Sequence, residues 1–111
     1  MAGVEVSAVS VVQVPEGAHV LDVREAHEWD AGHVEGAQHI PLGEVSARAA
    51  EVPAGAVYVI CKVGGRSAMA AALLSRAGKQ AVNVEGGMAA WAGAGKPMVS
   101  TSGNAPYVFG A

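Results

Sequence analysis

Short runs of apolar and β-branched residues recur along the chain, and each is closed by glycine, proline or charged residues. Runs of this kind are typical of strands that are buried on both faces of a sheet. The run AVYVI at residues 56–60 is the most apolar, so we expect it at the sheet centre. The pattern predicts five strands, at residues 4–6, 19–23, 38–41, 56–60 and 81–84.

Helical patterns occupy the intervals between these strands. The clearest is residues 67–77, which is rich in Ala, Leu and Met and ends at Gly78, a residue type favoured just after a helix. Shorter helices are predicted at residues 25–31, 44–51 and 88–92. Because strands and helices alternate, we expect an α/β domain with a mainly parallel sheet.

Length and composition narrow the class of protein. A chain of 111 residues with 51% hydrophobic and 15% charged residues fits one folded domain rather than a disordered chain. We expect that domain at residues 1–97 and an irregular tail at residues 98–111, which could dock through Tyr107 and Phe109. Glycine, serine and proline recur through this tail without a clear period.

The net charge and the N-terminal residues predict which kinds of partner to expect and where the protein is located. A net charge of −3 gives no reason to expect nucleic acid or an anionic membrane as the main partner. The N-terminus lacks a basic segment and Glu5 interrupts it early, so we expect no signal peptide. No apolar run has the length of a membrane span. We therefore expect a soluble cytoplasmic domain with no nucleic-acid or membrane partner.

The single cysteine, Cys61, directly follows the predicted central strand. It therefore lies at the carboxyl edge of the sheet, where α/β domains bind ligands. The glycines that follow let the backbone turn and bring its N–H groups close, and the amino end of the next helix adds a positive dipole. Together with two basic side chains, these groups favour the nucleophilic thiolate. The loop is Lys62, Val63, Gly64, Gly65, Arg66 and Ser67.

A lone cysteine after an apolar strand can also be simple core packing. The adjacent lysine, paired glycines and arginine are unusual neighbours for a packing residue, and they favour a chemical role for Cys61. One cysteine and four scattered histidines show none of the usual metal-ligand spacings, so we expect no metal.

Two blocks of sequence resemble the rhodanese family of sulfurtransferases. The first is VLDVREAHEWDAGHVEGAQHIPL at residues 20–42, which is similar to the family's first signature. The second runs from VYVICKVGGRSAMAAALL to VNVEGGMAAWAGAGKP and is similar to its cysteine loop and Glu-Gly-Gly-x-x-x-Trp block. The resemblance covers about residues 4–97. It implies a rhodanese-like fold, with a five-stranded, mainly parallel sheet flanked by helices on both faces.

The resemblance also implies a reaction. The Cys61 thiolate would take the sulfane sulfur of a donor such as thiosulfate and hold it as a persulfide among the loop N–H groups. A thiophilic acceptor, cyanide in an assay and a thiol in the cell, would then remove the sulfur. The donor or acceptor could also be a protein. No cofactor is implied.

Two other functions remain open at this stage. One is a rhodanese-like sulfur carrier or regulatory module that docks on a partner and has little turnover of its own. The other is a small phosphatase or arsenate reductase. Related dual-specificity phosphatases place one residue more between the cysteine and the arginine than the four that separate Cys61 from Arg66, and this spacing disfavours phosphate chemistry.

Three charged side chains near the loop each have two interpretations. Lys62 could attract an anionic donor or be merely solvated. Arg66 could face the bound anion or form an ion pair that fixes the loop; we favour the ion pair, with Asp22 as its expected partner. Arg24 could contact a ligand at the sheet edge, but a structural ion pair is favoured.

We expect His33, Trp29 and Trp91 to have structural roles. Sulfur transfer from a thiolate requires no general base, so His33 is interpreted as a structural hydrogen-bonding residue. Trp29 and Trp91 are expected in the core rather than in a substrate wall.

Overall fold

Five parallel strands form one sheet in the computed structural model, which describes residues 6–110. The strand order is β1-β5-β4-β2-β3, so β4 has neighbours on both sides, as its apolar sequence predicts. The strands are β1 (Ser7–Val9), β2 (His19–Asp22), β3 (Gln38–His39), β4 (Ala56–Ile60) and β5 (Gln80–Val84).

Within residues 6–110, three α-helices and three short 3₁₀ turns connect these strands, and a fourth α-helix follows the last strand. The longest helix, Gly65–Arg76, is α3; it follows β4 and begins two residues before the predicted start. The helices are α1 (Ala26–Ala31), α2 (Val45–Arg48), α3 (Gly65–Arg76) and α4 (Gly87–Gly93). The 3₁₀ turns are Val11–Gln13, Leu42–Glu44 and Ala49–Glu51.

The sheet separates two apolar cores. Alternate residues of a strand point to opposite faces, and in β4 Val57 and Val59 pack into one core while Ile60 packs into the other. Helices α2 and α3 cover the first core, which contains Leu74. Helix α4 covers the second, which contains Trp91. Helices therefore lie on both faces, and the expected α/β fold is confirmed.

Three predicted elements differ most from their predicted position or length. Positions 4 and 5 of the first predicted strand lie outside the described residues, and the strand itself begins at Ser7. β1 is an edge strand and pairs with β5 on one side, so it can form without the continuous apolar sequence that a central strand requires. The third strand ends at His39, two residues before Pro41. The helix predicted at residues 44–51 is a single α-turn between two 3₁₀ turns.

The C-terminal segment, residues 98–110, runs along α1. Val99 forms an antiparallel bridge with His33, and the Tyr107 amide donates to the Ala31 carbonyl. Val108 is its buried side chain, whereas Tyr107 was expected to dock and is 59% exposed. Phe109 meets the His27 ring edge-on at 4.8 Å, so contact through that residue is present.

Gly32 is needed for this segment to approach α1. A Cβ atom added at Gly32 would lie 2.5 Å from the Tyr107 carbonyl oxygen, closer than non-bonded atoms tolerate.

Within residues 6–110, no helix has the length and apolar character required to cross a membrane.

Leu74 tests how strongly α3 anchors the fold. Its side chain is fully buried, so Leu74→Ala is expected to reduce the free energy of unfolding by about 2–5 kcal/mol. Met69→Ala on the same helix is the control, because Met69 is 61% exposed and its truncation should change little. Denaturant unfolding measures both, and equal losses would contradict this packing.

Candidate functional site

The cysteine loop, residues 61–67, leaves the carboxyl end of β4 and leads directly into α3. Cys61 is 1% exposed. Gly64 has φ 112° and immediately precedes the helix, a conformation that residues with a Cβ rarely adopt. The glycine thus turns the loop so that its N–H groups face back toward the cysteine.

Two hydrogen-bonding groups of the loop lie close to the sulfur of Cys61. The Gly64 N–H lies 3.1 Å from Sγ, and the Ser67 hydroxyl oxygen lies 3.3 Å from it. Burial raises the pKa of the thiol, but the Ser67 hydroxyl and the N–H groups of Ser67, Gly64 and Val63 oppose it. The net result is a pKa below the ordinary value for cysteine, so the loop stabilises the thiolate.

Helix α4 holds the loop backbone from the other side. The Met88 N–H donates to the Cys61 carbonyl at 2.8 Å, and the Ala89 N–H donates to the Lys62 carbonyl at 3.0 Å. A Cβ atom at Gly87 would lie 2.3 Å from the Cys61 carbonyl oxygen, so only glycine allows this approach. Sequence reasoning assigned no role to Gly87, although the Glu-Gly-Gly block contained it.

Arg66 forms a two-pronged ion pair with Glu28 of α1, which corrects the expected partner. Its Nη1 and Nη2 atoms lie 2.6 and 2.9 Å from the two carboxylate oxygens. Asp22 is not the partner because Arg24 already engages both of its oxygens. The ion pair favoured for Arg66 is present, but the sequence analysis did not identify Glu28 as its carboxylate partner. The sequence feature that could have identified it is the acidic residue directly before Trp29.

Arg24 and Asp22 form a fully buried ion pair at the end of β2. Both side chains are 0% exposed, and Arg24 Nη2 lies 2.7 Å from Asp22 Oδ2. The same nitrogen donates to the Gly32 carbonyl at 2.7 Å. Arg24 therefore ties β2 to the end of α1, and the structural ion pair favoured for it is present.

The Lys62 side chain reaches the C-terminal segment. Its Nζ donates to the Gly110 carbonyl at 2.6 Å in an exposed position. The next side chain, Val63, is 65% exposed at the rim of the loop. The chain thus returns to the cysteine loop near its C-terminal end, a contact that the irregular pattern of residues 98–111 did not predict.

The ring side chains lie in structural positions. His33 donates from Nδ1 to the Trp29 carbonyl at 2.7 Å, and its ring stacks on the Trp29 ring with centroids 3.5 Å apart. Trp29 is only half-buried, so the core expectation applies better to Trp91, which is 5% exposed and donates to the Pro97 carbonyl.

Cavities elsewhere do not include the cysteine. One of about 540 Å³ lies between α1 and the C-terminal segment and is lined by His27, Asp30, Tyr107 and Phe109 among others. Across residues 6–110, no three His, Cys, Asp or Glu side chains cluster closely enough to hold a metal ion.

Comparisons with known proteins agree with this fold. A family model described as Rhodanese-like domain matches residues 11–94. The putative sulfurtransferase YtwF of Bacillus subtilis is 37% identical over 87 residues, covering 78% of this chain and 84% of the relative. The putative sulfur carrier protein YrkF of the same organism is 44% identical over 84 residues, covering 74% of this chain. This chain spans only 45% of the length of YrkF.

A solved structure extends the agreement to the backbone. The crystal structure of a rhodanese-related protein from Thermoplasma volcanium superposes with a TM-score of 0.79 at 33% identity, covering 84% of this chain and 97% of that chain. The chain therefore belongs to the rhodanese-like domain family, and the resemblance drawn from the two sequence blocks is confirmed.

The Arg66–Glu28 pair predicts how stability depends on pH. Hydrogen bonding to Arg66 is the main reason that the pKa of Glu28 falls from 4.5 to about 2. A carboxyl group with a lowered folded-state pKa stabilises the fold above its unfolded value and loses that contribution as pH falls through the folded value. Glu28→Gln should thus be less stable than wild type near neutral pH and should approach wild type between about pH 4.5 and 2.

Urea unfolding across this pH range measures the difference. Glu51→Gln is the control, because Glu51 also pairs with an arginine but is 51% exposed, where solvent screens the pair. A stability gap between wild type and Glu28→Gln that did not change with pH would contradict the assigned ion pair.

Proposed function

We propose that this member of the rhodanese-like family transfers a sulfane sulfur from a donor such as thiosulfate to a thiophilic acceptor through a persulfide on Cys61. The observation that carries the proposal is the environment of the sulfur. A thiol with a lowered pKa lies within hydrogen-bonding distance of the Gly64 N–H and the Ser67 hydroxyl at the carboxyl edge of a parallel sheet. Relatives named as sulfurtransferases support the same reaction class.

The reaction consists of two displacements at sulfur. The Cys61 thiolate attacks the outer sulfur of thiosulfate, so the new Cys61 S–S bond forms as the bond to sulfite breaks and sulfite leaves with the electron pair. Cyanide or a thiolate then attacks the outer sulfur and releases the Cys61 thiolate. No proton must move in either step when the attacking groups are anions, which fits the commitment of His33 to the Trp29 carbonyl.

The chain supplies anion stabilisation through its backbone. In this proposal the N–H groups of residues 62–67 hold the persulfide charge, as preorganised amides do in other anion sites. Arg66 is fixed by Glu28, and its hydrogen bonds to that carboxylate, with a smaller contribution from the Cys61 charge, raise the pKa of the guanidinium above its ordinary value. Asp22 and Arg24 support the end of the neighbouring strand β2.

Lys62 is assigned to recruitment of an anionic donor at the rim. Its exposed hydrogen bond to Gly110 is one that water can replace, so the ammonium can turn to an arriving anion. The acceptor is a thiol in the cell. A cytoplasmic location fits this chemistry, because a reducing compartment keeps a single cysteine as a thiol.

A sulfur carrier that loads and delivers sulfur without appreciable turnover is the second candidate. It is favoured by the 44% identity to a relative named as a putative sulfur carrier protein. In that case the donor or acceptor is a protein, and the exposed Val63 beside the nucleophile is an available contact for it.

Cys61→Ser tests the nucleophile. Wild-type protein treated with thiosulfate is expected to gain the mass of one sulfur atom, and cyanide should then release thiocyanate; the variant should do neither. Intact-mass spectrometry and a colorimetric thiocyanate assay measure the two steps. Loading without turnover would identify the carrier. Thiocyanate production by the variant at the wild-type rate would contradict the mechanism, and aryl phosphate hydrolysis without sulfur uptake would contradict both candidates.

Lys62→Gln tests donor recruitment. The variant should raise KM for thiosulfate about two- to fivefold with little change in kcat, because an exposed charge contributes modestly and acts mainly before chemistry. Added salt should raise KM for wild type and much less for the variant. Lys79→Gln is the control, because the Lys79 ammonium donates to the Val52 carbonyl far along the chain from the loop. An unchanged KM in Lys62→Gln would refute this role.

A further inference from the structure

Asn83 is a buried polar side chain beneath the cysteine loop that the mechanism above does not use. It lies on β5, pairs in register with Val59 of the central strand and is 7% exposed. The residues on either side, Val82 and Val84, are apolar. A buried amide is stable only when its polar atoms are hydrogen-bonded, so the partners of Asn83 show what it is placed to do.

The amide of Asn83 has one orientation. Its Nδ2 donates to the Gly64 carbonyl at 3.3 Å, while Oδ1 lies 2.6 Å from the Ser67 hydroxyl oxygen. A flipped amide would set Oδ1 against the Gly64 carbonyl oxygen, with no hydrogen between two acceptors. Because Oδ1 can only accept, the short contact requires the Ser67 hydroxyl to donate to Asn83.

The Ser67 hydroxyl has a single proton and three acceptors within reach. Asn83 Oδ1 is nearest at 2.6 Å, followed by the Gly64 carbonyl oxygen at 3.2 Å and Cys61 Sγ at 3.3 Å. When Asn83 takes the proton, the lone pairs of the hydroxyl face the sulfur and accept from a neutral thiol. When the sulfur is a thiolate, it needs that same proton. The two acceptors therefore compete.

We propose that Asn83 is a positioning residue that competes with the Cys61 sulfur for the proton of the Ser67 hydroxyl. It stabilises states in which Sγ is uncharged over the thiolate. Those states are the resting thiol and, resting on the proposed function, the persulfide, whose negative charge lies on the outer sulfur. By raising the energy of the empty thiolate and not that of the persulfide, Asn83 favours the loaded form.

Charged groups do not account for this effect. None of the ionisable side chains around the loop forms a hydrogen bond with Asn83 in the part of the chain that the structure describes, and most are committed to other partners. Glu28 of α1 pairs with Arg66, and Asp22 at the end of β2 pairs with Arg24. Lys62 of the loop donates to the Gly110 carbonyl. Glu85, which follows β5, is exposed.

Alkylation of Cys61 by iodoacetamide as a function of pH tests the proposal. Because the chain has one cysteine, the midpoint of the rate profile reports this thiol alone. Asn83→Leu removes the competing acceptor at similar volume and should lower the midpoint by about half to one pH unit. Asn83→Asp should raise it, since a carboxylate holds the hydroxyl proton more firmly and adds charge. Asn104→Leu, at an exposed asparagine, is the matched control and should not change it.

The Ser67→Ala background separates positioning from a general structural effect. Asn83→Leu should shift the midpoint only when Ser67 is present, because Asn83 acts through that hydroxyl. A midpoint that is unchanged or raised in Asn83→Leu, or a shift that persists in Ser67→Ala, would overturn the proposal. Thermal unfolding verifies that each variant is folded, and Asn83→Ala replaces Asn83→Leu if the larger residue is not tolerated.

Alkylation needs no sulfur donor, so this result is independent of the proposed function. A lowered midpoint together with absent sulfur uptake would support the role of Asn83 and refute sulfur transfer. Normal sulfur uptake with an unchanged midpoint would do the reverse. For proteins that do load, the ratio of persulfide to thiol at a given sulfite and thiosulfate concentration should fall in Asn83→Leu.

Discussion

The requirement to stabilise a negative charge on a buried sulfur organises this domain. Cys61 is nearly inaccessible to water, and burial alone would raise the pKa of its thiol. The fold opposes burial with directed N–H groups and a hydroxyl, which are available because the loop turns sharply at Gly64 before α3 begins. The central position of β4 supplies the rigid base from which that turn is made.

The loop keeps its shape because three separate parts of the chain hold it. Helix α4 donates to its first two carbonyls, α1 holds Arg66 through Glu28, and β5 contributes Asn83 beneath Ser67. Each contact orients a different portion of the loop. A hydrogen-bonding cradle of this kind stabilises an anion without the reorganisation that free water would require.

The same contacts divide the charged residues into two groups. Glu28 and Asp22 neutralise the two arginines nearest the site, and both pairs are directed at the scaffold. Lys62, in contrast, donates to an exposed carbonyl of the C-terminal segment. Its charge therefore lies at the rim of the loop, while the two arginines are held by buried carboxylates.

The sequence alone determined the α/β class, the central position of β4 and the placement of Cys61 at the carboxyl edge before a helix, because these follow from local apolar periodicity and turn residues. The two family blocks added the family, the rhodanese-like domain. Tertiary structure decided which carboxylate pairs with Arg66, because Glu28 lies 38 residues from Arg66 in the sequence and Asp22 is already paired with the buried Arg24. It also decided the start of the edge strand β1, the path of residues 98–110 and the contact of Asn83 with Ser67. Such pairings depend on which elements become neighbours in space, and local sequence patterns do not show which distant elements will be neighbours.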